Sequence, residues 1–305
     1  MVVAHTGKTN NTAEVATVCE TPPAGNRSGS FQSNCPSDLF YQAWVPSGPQ
    51  LIVVGIHGAG QHSGWFGTLA DCLFSQRMAF FALDLRGFGR SSGSRGHVDH
   101  FEQYLDDVDQ FIHCIRKQLA PIPIILLGHS FGGTVAIRYV QERPTAIQAL
   151  VLSSPALRIR MMIPPGLVFF ITLLSRIAPA ASIDLVKWPA IISRAHPHYR
   201  LNVPQGGNEG DPWNTTRFSV RWLTELLTNG TQALRWAHHL SIPVLSFCSE
   251  DDVLVDPWAV RQFYRALPGP DKQHLVLGHK PHDWILHDNG SDPLYAYVID
   301  WMKAH

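Results

Sequence analysis

Short apolar runs alternate with longer amphipathic stretches along most of the chain. The runs are apolar on both faces, as expected of strands buried inside a parallel sheet, and lie at residues 51–56, 79–83, 122–127, 149–152 and 244–248. Apolar residues recur every three or four positions from 98 to 119, and a second helical stretch covers 130–143. This alternation predicts an α/β fold, with a mostly parallel sheet and helices on both of its faces. Residues 40–45 are expected to form an antiparallel strand at the sheet edge.

The alternation breaks down in the middle of the chain and then resumes. Residues 156–241 contain the apolar block 166–174, further helix-like segments and a polar loop, so we interpret them as an inserted, mainly helical cap. The core on either side of the cap comprises residues 31–155 and 242–305. Residues 1–30, rich in Thr, Asn, Gly and Pro, are predicted to be a disordered tail. The apolar block is much shorter than the about 20 residues that cross a bilayer.

Composition and charge narrow the classes of function. The 305 residues include 24 basic and 24 acidic side chains, so the net charge is zero and the basic surface that nucleic acids require is not expected. The five cysteines are scattered without a zinc-binding spacing, which favours a reducing, cytoplasmic location and argues against a structural metal. Two histidine pairs, His196 with His198 and His238 with His239, also lack nearby ligand partners. Neither a metal nor a cofactor is therefore expected.

The sequence Gly128-His-Ser-Phe-Gly132 is the strongest chemical signal in the chain. It matches the G-x-S-x-G turn that carries a nucleophilic serine between a strand and a helix, and a predicted strand precedes it and a predicted helix follows. The turn is expected to hold Ser130 in a strained conformation, with glycines on either side because neighbouring backbones approach closely. The amino end of the helix would also place amide dipoles beside a developing negative charge. Ser130 is thus the candidate nucleophile.

A serine hydroxyl needs a histidine as its base and an acid that orients this histidine, and in such folds the acid and then the histidine follow the serine along the chain. Four carboxylates follow the strand at 244–248, namely Glu250, Asp251, Asp252 and Asp256. Asp256 precedes Pro257 at the start of a helical stretch, so we interpret it as the N-cap of that helix. The other three carboxylates remain candidates for the acid.

Three histidines follow the last short apolar run, residues 274–277, and compete for the role of the base. They are His279, His282 and His287. His282 begins the final helical region and is preferred. His279, which lies closer to the end of the predicted strand, is the alternative, and His287 is expected to face solvent.

Several motifs, taken in order, resemble the α/β-hydrolase family that contains monoacylglycerol lipases and lysophospholipase-like esterases, a group also described as serine aminopeptidase-like. The resemblance covers about residues 39–301. Its motifs are Tyr41-Gln-Ala-Trp-Val-Pro46, His57-Gly-Ala-Gly-Gln-His-Ser-Gly64, Asp84-Leu-Arg-Gly-Phe-Gly-Arg-Ser91, Gly128-His-Ser-Phe-Gly-Gly133, Ser153-Ser-Pro155, Asp211-Pro-Trp213, Asp252-Val-Leu-Val-Asp256 and His282-Asp283. The resemblance implies the α/β-hydrolase fold with an inserted cap.

The resemblance also implies roles for individual residues. The triad it implies is Ser130, Asp252 and His282, because Asp252 begins the family's D-x-L-V-D pattern and an acidic residue follows His282. The family builds its oxyanion hole from two backbone amides, which in this sequence are those of Ala59 and Phe131. Loss of one such donor typically raises the reaction barrier by about 2.7–4 kcal/mol.

Other positions in these motifs are expected to shape loops, and two depart from the family pattern. His57-Gly58 and residues 84–91 are interpreted as loop-shaping, with no direct chemistry. Gln61 stands where the family usually has Glu, which removes a charge behind the loop that carries Ala59. Ser249 replaces the usual Gly three residues before the acid, a change that is tolerated if this position has a negative φ.

The function that the resemblance implies is a cofactor-free serine hydrolase for carboxylic esters of lipophilic acyl chains, such as monoacylglycerols or lysophospholipids, acting through an acyl-enzyme. The apolar part of the cap, with Met161, Val168, Phe169 and Phe170, is expected to bind the acyl chain and to make peripheral contact with a membrane. The alternative is a purely structural role, in which these residues form the cap's own core. Alternative functions are an esterase, lactonase or aminopeptidase for a small polar substrate, and a ligand-binding protein without turnover.

Overall fold

The structure is a computed structural model that describes residues 25–33, 37–119, 121–144, 147–160, 165–184, 210–287 and 291–305. Met161, one of the four predicted substrate-binding residues, lies outside these ranges. Residues 1–24 of the predicted tail and residues 185–209 of the predicted cap lie outside them as well.

Eight strands of the described chain form one large sheet, and two more form a short ribbon. The strands are β1 (Gly25–Ser33), β2 (Ser37–Val45), β3 (Leu51–Ile56), β4 (Met78–Leu83), β5 (Ile124–His129), β6 (Ala149–Ser153), β7 (Ser182–Asp184), β8 (Arg217–Ser219), β9 (Val244–Ser249) and β10 (Lys272–Leu277). Across the large sheet the order is β1-β2-β4-β3-β5-β6-β9-β10. The pairs β1–β2 and β2–β4 are antiparallel and the remaining pairs are parallel, which confirms the predicted, mostly parallel sheet. Every residue of β3, β4, β5, β6 and β9 is buried, and this explains their continuous apolar sequences.

The antiparallel edge of the sheet differs from the prediction. β2 contains the predicted strand 40–45, but it lies second from the edge, because β1 pairs with it from Gly25 opposite Val45 to the other end of the strand. The prediction of a tail over residues 1–30 was therefore wrong from Gly25 onward. Apart from Phe31, whose ring stacks on that of Phe111 at 5.3 Å, β1 consists of polar residues and glycines. Its apolar pattern was too weak to indicate a strand.

Helices cover both faces of the sheet, as predicted. They are α1 (Gly67–Ser75), α2 (Glu102–Leu119), α3 (Phe131–Glu142), α4 (Pro165–Ile177), α5 (Val220–Arg235), α6 (Pro257–Ala266), α7 (Trp284–His287) and α8 (Pro293–Ala304). Apolar residues of α2, α3, α5 and α6 share one buried cluster, and those of α1, α7 and α8 share a second. Alternate side chains of the central strands divide between the two clusters, as the two faces of a strand require.

The segment between β6 and β9 interrupts the alternation of strands and helices. It contains α4, β7, β8 and α5, with β7 and β8 paired antiparallel. A guanidinium group of Arg221 on α5 donates to the carbonyl oxygen of Ser175 on α4 (3.0 Å), which joins the two helices. The boundaries of core and cap at 31–155, 156–241 and 242–305 stay predictions. Within the described ranges, every helix is too short or too polar to span a membrane.

Candidate active site

Ser130 lies at the sharp turn between β5 and α3, at the carboxyl edge of the parallel strands. Its φ is 53° and its ψ is −118°, a conformation that a residue with a side chain adopts only under strain. Hydrogen bonds hold this strained turn. The Ser130 amide donates to the carbonyl of Ser153 (2.9 Å), and the Ser130 carbonyl accepts from the amides of Gly133 (3.0 Å) and Ala156 (2.9 Å). The predicted strain at Ser130 is confirmed.

Gly128 and Gly132 are required by close packing. A Cβ on Gly132 would lie 2.1 Å from the carbonyl oxygen of Ile56, and a Cβ on Gly128 would lie 2.5 Å from the carbonyl oxygen of Gly132. A side chain at either position would push β3 or the start of α3 away from the turn. The two glycines therefore allow the serine turn to pack directly against the neighbouring strand, as the sequence predicts.

Asp252 and His282 meet next to this turn, although 30 residues separate them. Nδ1 of His282 donates to Oδ2 of Asp252 at 2.7 Å, and both side chains are buried. Oδ1 of Asp252 accepts from the amides of Leu254 (2.9 Å) and Val255 (3.0 Å). Burial acts to raise the pKa of Asp252, but the hydrogen bond and charge of His282 and these two amides lower it below its ordinary value. The carboxylate is thus ionised near neutral pH and holds the proton of His282 on Nδ1.

The other ring nitrogen of His282 is buried and has no hydrogen-bond partner among the described residues. The His282 ring lies 5.1 Å from the ring of His129, the residue that immediately precedes Ser130. Burial and the charge of His282 lower the pKa of His129 well below its ordinary value, so His129 stays neutral. The geometry therefore leaves Nε2 of His282 available to accept a proton beside the serine turn.

The competing acids and histidines have other partners and lie at the surface. Nδ1 of His279 contacts Asp251, and the His279 side chain is 96% exposed. Nε2 of His287 contacts Asp283 at 2.9 Å, and Glu250 pairs with Arg261 at 3.2 Å. Asp256 caps α6 by accepting from the amide of Trp258, which confirms its predicted N-cap role. Of the candidates, the structure brings Asp252 and His282 together and gives the others different partners.

The backbone around Ala59 is fixed by a buried histidine. Nδ1 of His57 donates to the carbonyl oxygen of Gly58 (2.8 Å), and Nε2 of His57 accepts from the amide of Leu85 (3.0 Å). Because the peptide unit is planar and trans, holding the Gly58 carbonyl also fixes the opposite direction of the Ala59 N–H bond. This amide has no acceptor within the described part of the chain. It can therefore donate to an oxyanion.

His57 keeps this arrangement because it is neutral. Burial lowers its pKa to about 4, while nearby Asp84 acts in the opposite direction. The Asp84 carboxylate accepts from the amides of Ser63 (2.5 Å) and Arg90 (2.7 Å), which ties two neighbouring loops together. His57 and Asp84 thus make the loop-shaping contacts that the resemblance implies.

Phe131 is the first residue of α3, so its amide is one of those that a helix leaves unpaired at its amino end. The loop that carries Ala59 passes close to this amide, since a Cβ on Gly58 would lie 3.1 Å from Cβ of Ser130. Oε1 of Gln61 accepts from the Gly58 amide at 2.9 Å. Gln61 therefore supplies a neutral acceptor where a family glutamate would bring a charge.

Ser249 is accommodated without strain. It ends β9 and is not among the residues with positive φ, and its hydroxyl donates to the carbonyl of Gly278 at 2.7 Å.

The described residues contain no group of three or more His, Cys, Asp or Glu side chains arranged to hold a metal ion. His196 and His198 lie outside the described residues, and the rings of His238 and His239 contact each other at 4.3 Å.

The four residues predicted to bind the acyl chain have different positions. Val168 lines a cavity of about 830 Å³ between α4, α5 and the segment after β6, and Ala156 lines the same cavity. Ser130 and His282 are not among its described lining residues. Met161 lies outside the described residues.

Phe169 and Phe170 lie away from the buried side of α4, and their role in binding the acyl chain stays a prediction. They are 71% and 58% exposed, because Ile171 and Ser175 form the buried side of α4 and a helix turns by about 100° per residue. Four apolar side chains on the opposite side of the helix form what we call the exposed face of α4: Phe169, Phe170, Leu173 and Ile177.

Comparisons with known proteins identify a matching family, similar sequences and similar folds. The sequence profile described as serine aminopeptidase, S33, matches residues 47–289. Phospholipase YtpA of Bacillus subtilis is 30% identical over 233 residues, which cover 76% of this chain and 87% of that protein. The monoglyceride lipase of Mus musculus is 42% identical over 118 residues, or 38% of this chain and 39% of that protein. The crystal structure of Paleococcus ferrophilus monoacylglycerol lipase is similar with a TM-score of 0.71 and 26% identity, over 88% of this chain and 99% of that chain.

Proposed function

Because the chain belongs to the serine aminopeptidase S33 family of α/β hydrolases, we propose that it cleaves carboxylic esters of lipophilic acyl chains through an acyl-enzyme on Ser130. At the coarser level, its relatives and its fold make it a hydrolase of the lipase and esterase type. The observation that carries the finer proposal is the strained Ser130 beside a buried His282 whose Nδ1 is held by Asp252.

The proposed reaction has two halves. First, Oγ of Ser130 attacks the ester carbonyl carbon while Nε2 of His282 takes the hydroxyl proton, and the carbonyl electron pair moves onto oxygen. The amides of Ala59 and Phe131 donate to this oxyanion. Collapse of the tetrahedral intermediate expels the alcohol, which receives the proton from His282. Water then attacks the acyl-enzyme with His282 as base, and the carboxylic acid and the free serine are released.

Monoacylglycerols are the proposed substrate class, ahead of lysophospholipids. The printed names of the relatives, a phospholipase and a monoglyceride lipase, support a lipid ester. Arg158 pairs with Asp256 (3.3 Å), and Arg160 donates to the backbone carbonyl of Asp252 (2.6 Å), so both nearby guanidinium groups already have partners within the protein. The net charge of zero also favours an uncharged headgroup over a phosphate. The exposed face of α4 supports peripheral contact with a lipid surface.

The replacement Ser130→Ala tests the nucleophile. We expect kcat for nitrophenyl esters to fall by about 10⁶-fold, because the attacking oxygen is lost. A fluorophosphonate should label the wild-type protein at Ser130 and leave the variant unlabelled. Ser47→Ala is the matched control, since Ser47 is exposed and lies in the bend between β2 and β3, and it should keep full activity.

The other outcomes would contradict the proposal in different ways. Retained ester hydrolysis by Ser130→Ala would exclude Ser130 as the nucleophile. If the wild-type protein is not labelled and turns over no ester, the result would favour a ligand-binding protein without turnover. A series of nitrophenyl esters from acetate to palmitate tests the acyl chain, and kcat/KM that is highest for acetate would favour a small polar substrate.

A further inference from the structure

The motif Asp211-Pro-Trp213 has no role in the proposed reaction. It lies within the insertion, before β8, and the residues that follow it reach the loop that carries Ala59. The Thr215 amide donates to the carbonyl of Gly60 at 2.9 Å. Gly60 has a φ of +78°, and a Cβ there would lie 2.5 Å from the carbonyl oxygen of Thr215. The two backbones are therefore in direct contact one residue beyond the proposed oxyanion donor.

A histidine and aspartate pair makes the second contact between these segments. Nε2 of His62 lies 3.0 Å from Oδ2 of Asp211, and the two side chains are only 13% and 16% exposed. Nδ1 of His62 accepts from the amide of Gly64 (3.1 Å), so the proton on Nε2 points to Asp211. Oδ1 of Asp211 accepts from the Trp213 amide (2.9 Å), which fixes the turn of the motif itself. The carboxylate thus bridges its own turn and the loop that carries Ala59, which we call the oxyanion loop.

The electrostatics of Asp211 agree with this bridging role. Desolvation acts to raise the pKa of Asp211, but the hydrogen bonds from Trp213 and His62, together with the charges of His62 and Arg90, lower it below its ordinary value. Asp211 therefore remains an ionised hydrogen-bond acceptor near neutral pH.

Two further contacts extend this junction on either side. Nε1 of Trp65 donates to Oδ1 of Asn214 at 3.0 Å. The guanidinium of Arg90 lies over the ring of Trp213 at 5.2 Å and over the ring of Phe40 at 4.8 Å. Three hydrogen bonds thus join residues 211–215 to Gly60, His62 and Trp65, and Arg90 contacts Trp213 beside them.

We propose that Asp211 and Asn214 are positioning residues that hold the oxyanion loop through His62 and Trp65. The proposal rests on the proposed function, because it assigns the Ala59 amide to the oxyanion. Gln61 holds the amide of Gly58 on one side of the Ala59 peptide, and Thr215 holds the carbonyl of Gly60 on the other side. Residues 211–215 thereby complete the support of a donor that has to stay in place during the reaction. These residues of the insertion thus support the proposed oxyanion hole from outside the core.

The replacement Asp211→Ala tests this inference. We expect kcat for a nitrophenyl ester to fall about tenfold with KM unchanged, less than the 10²–10³-fold that loss of a whole oxyanion donor causes. Affinity for a trifluoromethyl ketone, which forms an oxyanion on the serine, should fall by the same factor, whereas a purely structural role would not link the two quantities. Asp211→Asn keeps one acceptor oxygen, which can serve Trp213 or His62 but not both, and should restore only part of the activity.

The matched control is Asp271→Ala. It breaks another aspartate and histidine pair, Asp271 with His305 at 3.1 Å, at the amino end of β10 and away from the serine turn. This control should keep the wild-type kcat and the wild-type affinity for the ketone. In a double-mutant cycle, His62→Ala combined with Asp211→Ala should lower kcat no further than either single change. The reason is that the same contact, between His62 and Asp211, is lost in all three variants.

Trp65→Phe keeps an aromatic side chain, although a smaller one, and removes the N–H that donates to Asn214, so it tests the junction even if Asp211→Ala does not fold. We expect a smaller drop in kcat, by about threefold to fivefold, with the same parallel loss of ketone affinity. A rise in KM at constant kcat, or equal losses in Asp211→Ala and Asp271→Ala, would overturn the positioning role. A wild-type protein that turns over no ester would refute the proposed function itself, which is a separate result.

Discussion

At the scale of single residues, His57 shows how a buried side chain without direct chemistry supports the proposed site. Its two nitrogens are used by Gly58 and Leu85, so the ring links the oxyanion loop to the loop after β4. The motif around His57 indicates a loop near the site, but the tautomer and both partners depend on residues far away in the sequence. The sequence could therefore indicate that His57 matters and could not indicate how.

The protonation of His57 leads to a prediction on stability. Its pKa is about 4 in the folded protein and 6.5 in an exposed histidine, so between these values the unfolded chain binds a proton that the folded protein does not. The free energy of unfolding should therefore be highest above pH 6.5 and fall as the pH decreases toward 4, with His57 accounting for about 3 kcal/mol of the loss. His57→Asn keeps a donor for Gly58 and cannot titrate, so its loss should be smaller by this amount.

Urea unfolding at pH 7, 5.5 and 4 measures this difference. His129 and Asp252 also titrate differently in the two states, but they do so in both proteins and cancel in the comparison. The control is His279→Asn, because the side chain of His279 is 96% exposed. If His57→Asn and the wild-type protein lose the same stability between pH 7 and 4, the assigned shift is wrong.

At the scale of elements, α5 packs onto the segment that supports the serine turn. The point of contact is Gly230, where a Cβ would lie 2.7 Å from the carbonyl oxygen of Leu157 and 2.9 Å from that of Ala156. The amide of Ala156 in turn donates to the carbonyl of Ser130. A glycine inside a helix usually weakens it, so its presence here reflects the close approach of α5 to this segment.

Gly230→Ala is predicted to destabilise the protein by about 1–3 kcal/mol through overpacking, in spite of the better helix propensity of alanine. It should also lower ester hydrolysis, because Ala156 would have to move. Urea unfolding and kcat measure the two effects. The matched control is Gly67→Ala at the start of α1, where φ is −49° and no atom lies within 4 Å of a new Cβ. Gly67→Ala should be neutral or stabilising by up to about 1 kcal/mol, and equal effects of the two changes would contradict this account.

At the scale of the whole molecule, one side carries an apolar surface that the fold itself does not use. The chain has a net charge of zero and only 16% charged residues, and the exposed face of α4 is one place where apolar side chains remain uncovered. Such a face on an otherwise neutral protein favours attachment to lipid through apolar contact and not through charge. It would bring the insertion, and with it the proposed site, to the surface of a lipid aggregate.

Phe169→Ser is predicted to lower partitioning into neutral phosphatidylcholine vesicles about tenfold, because a large apolar side chain no longer enters the interface. Hydrolysis of a water-soluble nitrophenyl ester should stay unchanged. Vesicle sedimentation measures the partitioning. The control is Phe74→Ser, which removes another partly exposed phenylalanine from α1, a helix that packs on the other face of the sheet. The prediction that the exposed face of α4 contacts a membrane is wrong if both variants bind vesicles as strongly as the wild-type protein does.

The sequence was most informative where local chemistry decides the structure. The buried strands β3, β4, β5, β6 and β9 have continuous apolar sequences because helices cover both faces of the sheet. The turn at Ser130 needs glycine on either side of it because backbones approach to within a few ångströms there. β1 was missed because it lies at the edge and has one large apolar side chain, and an edge strand depends on its partner and not on its own pattern.

Taken alone, the sequence determined the order of buried elements, the serine turn and the short stretches that hold an acid and a histidine, because each of these depends on residues close together in the chain. The tertiary structure decided which of three acids meets which of three histidines, since neighbouring residues in a loop point in different directions. It also decided that Phe169 and Phe170 face outward, because the buried side of α4 is set by α5. In the same way, residues 211–215 reach the oxyanion loop only because the insertion folds back onto the core.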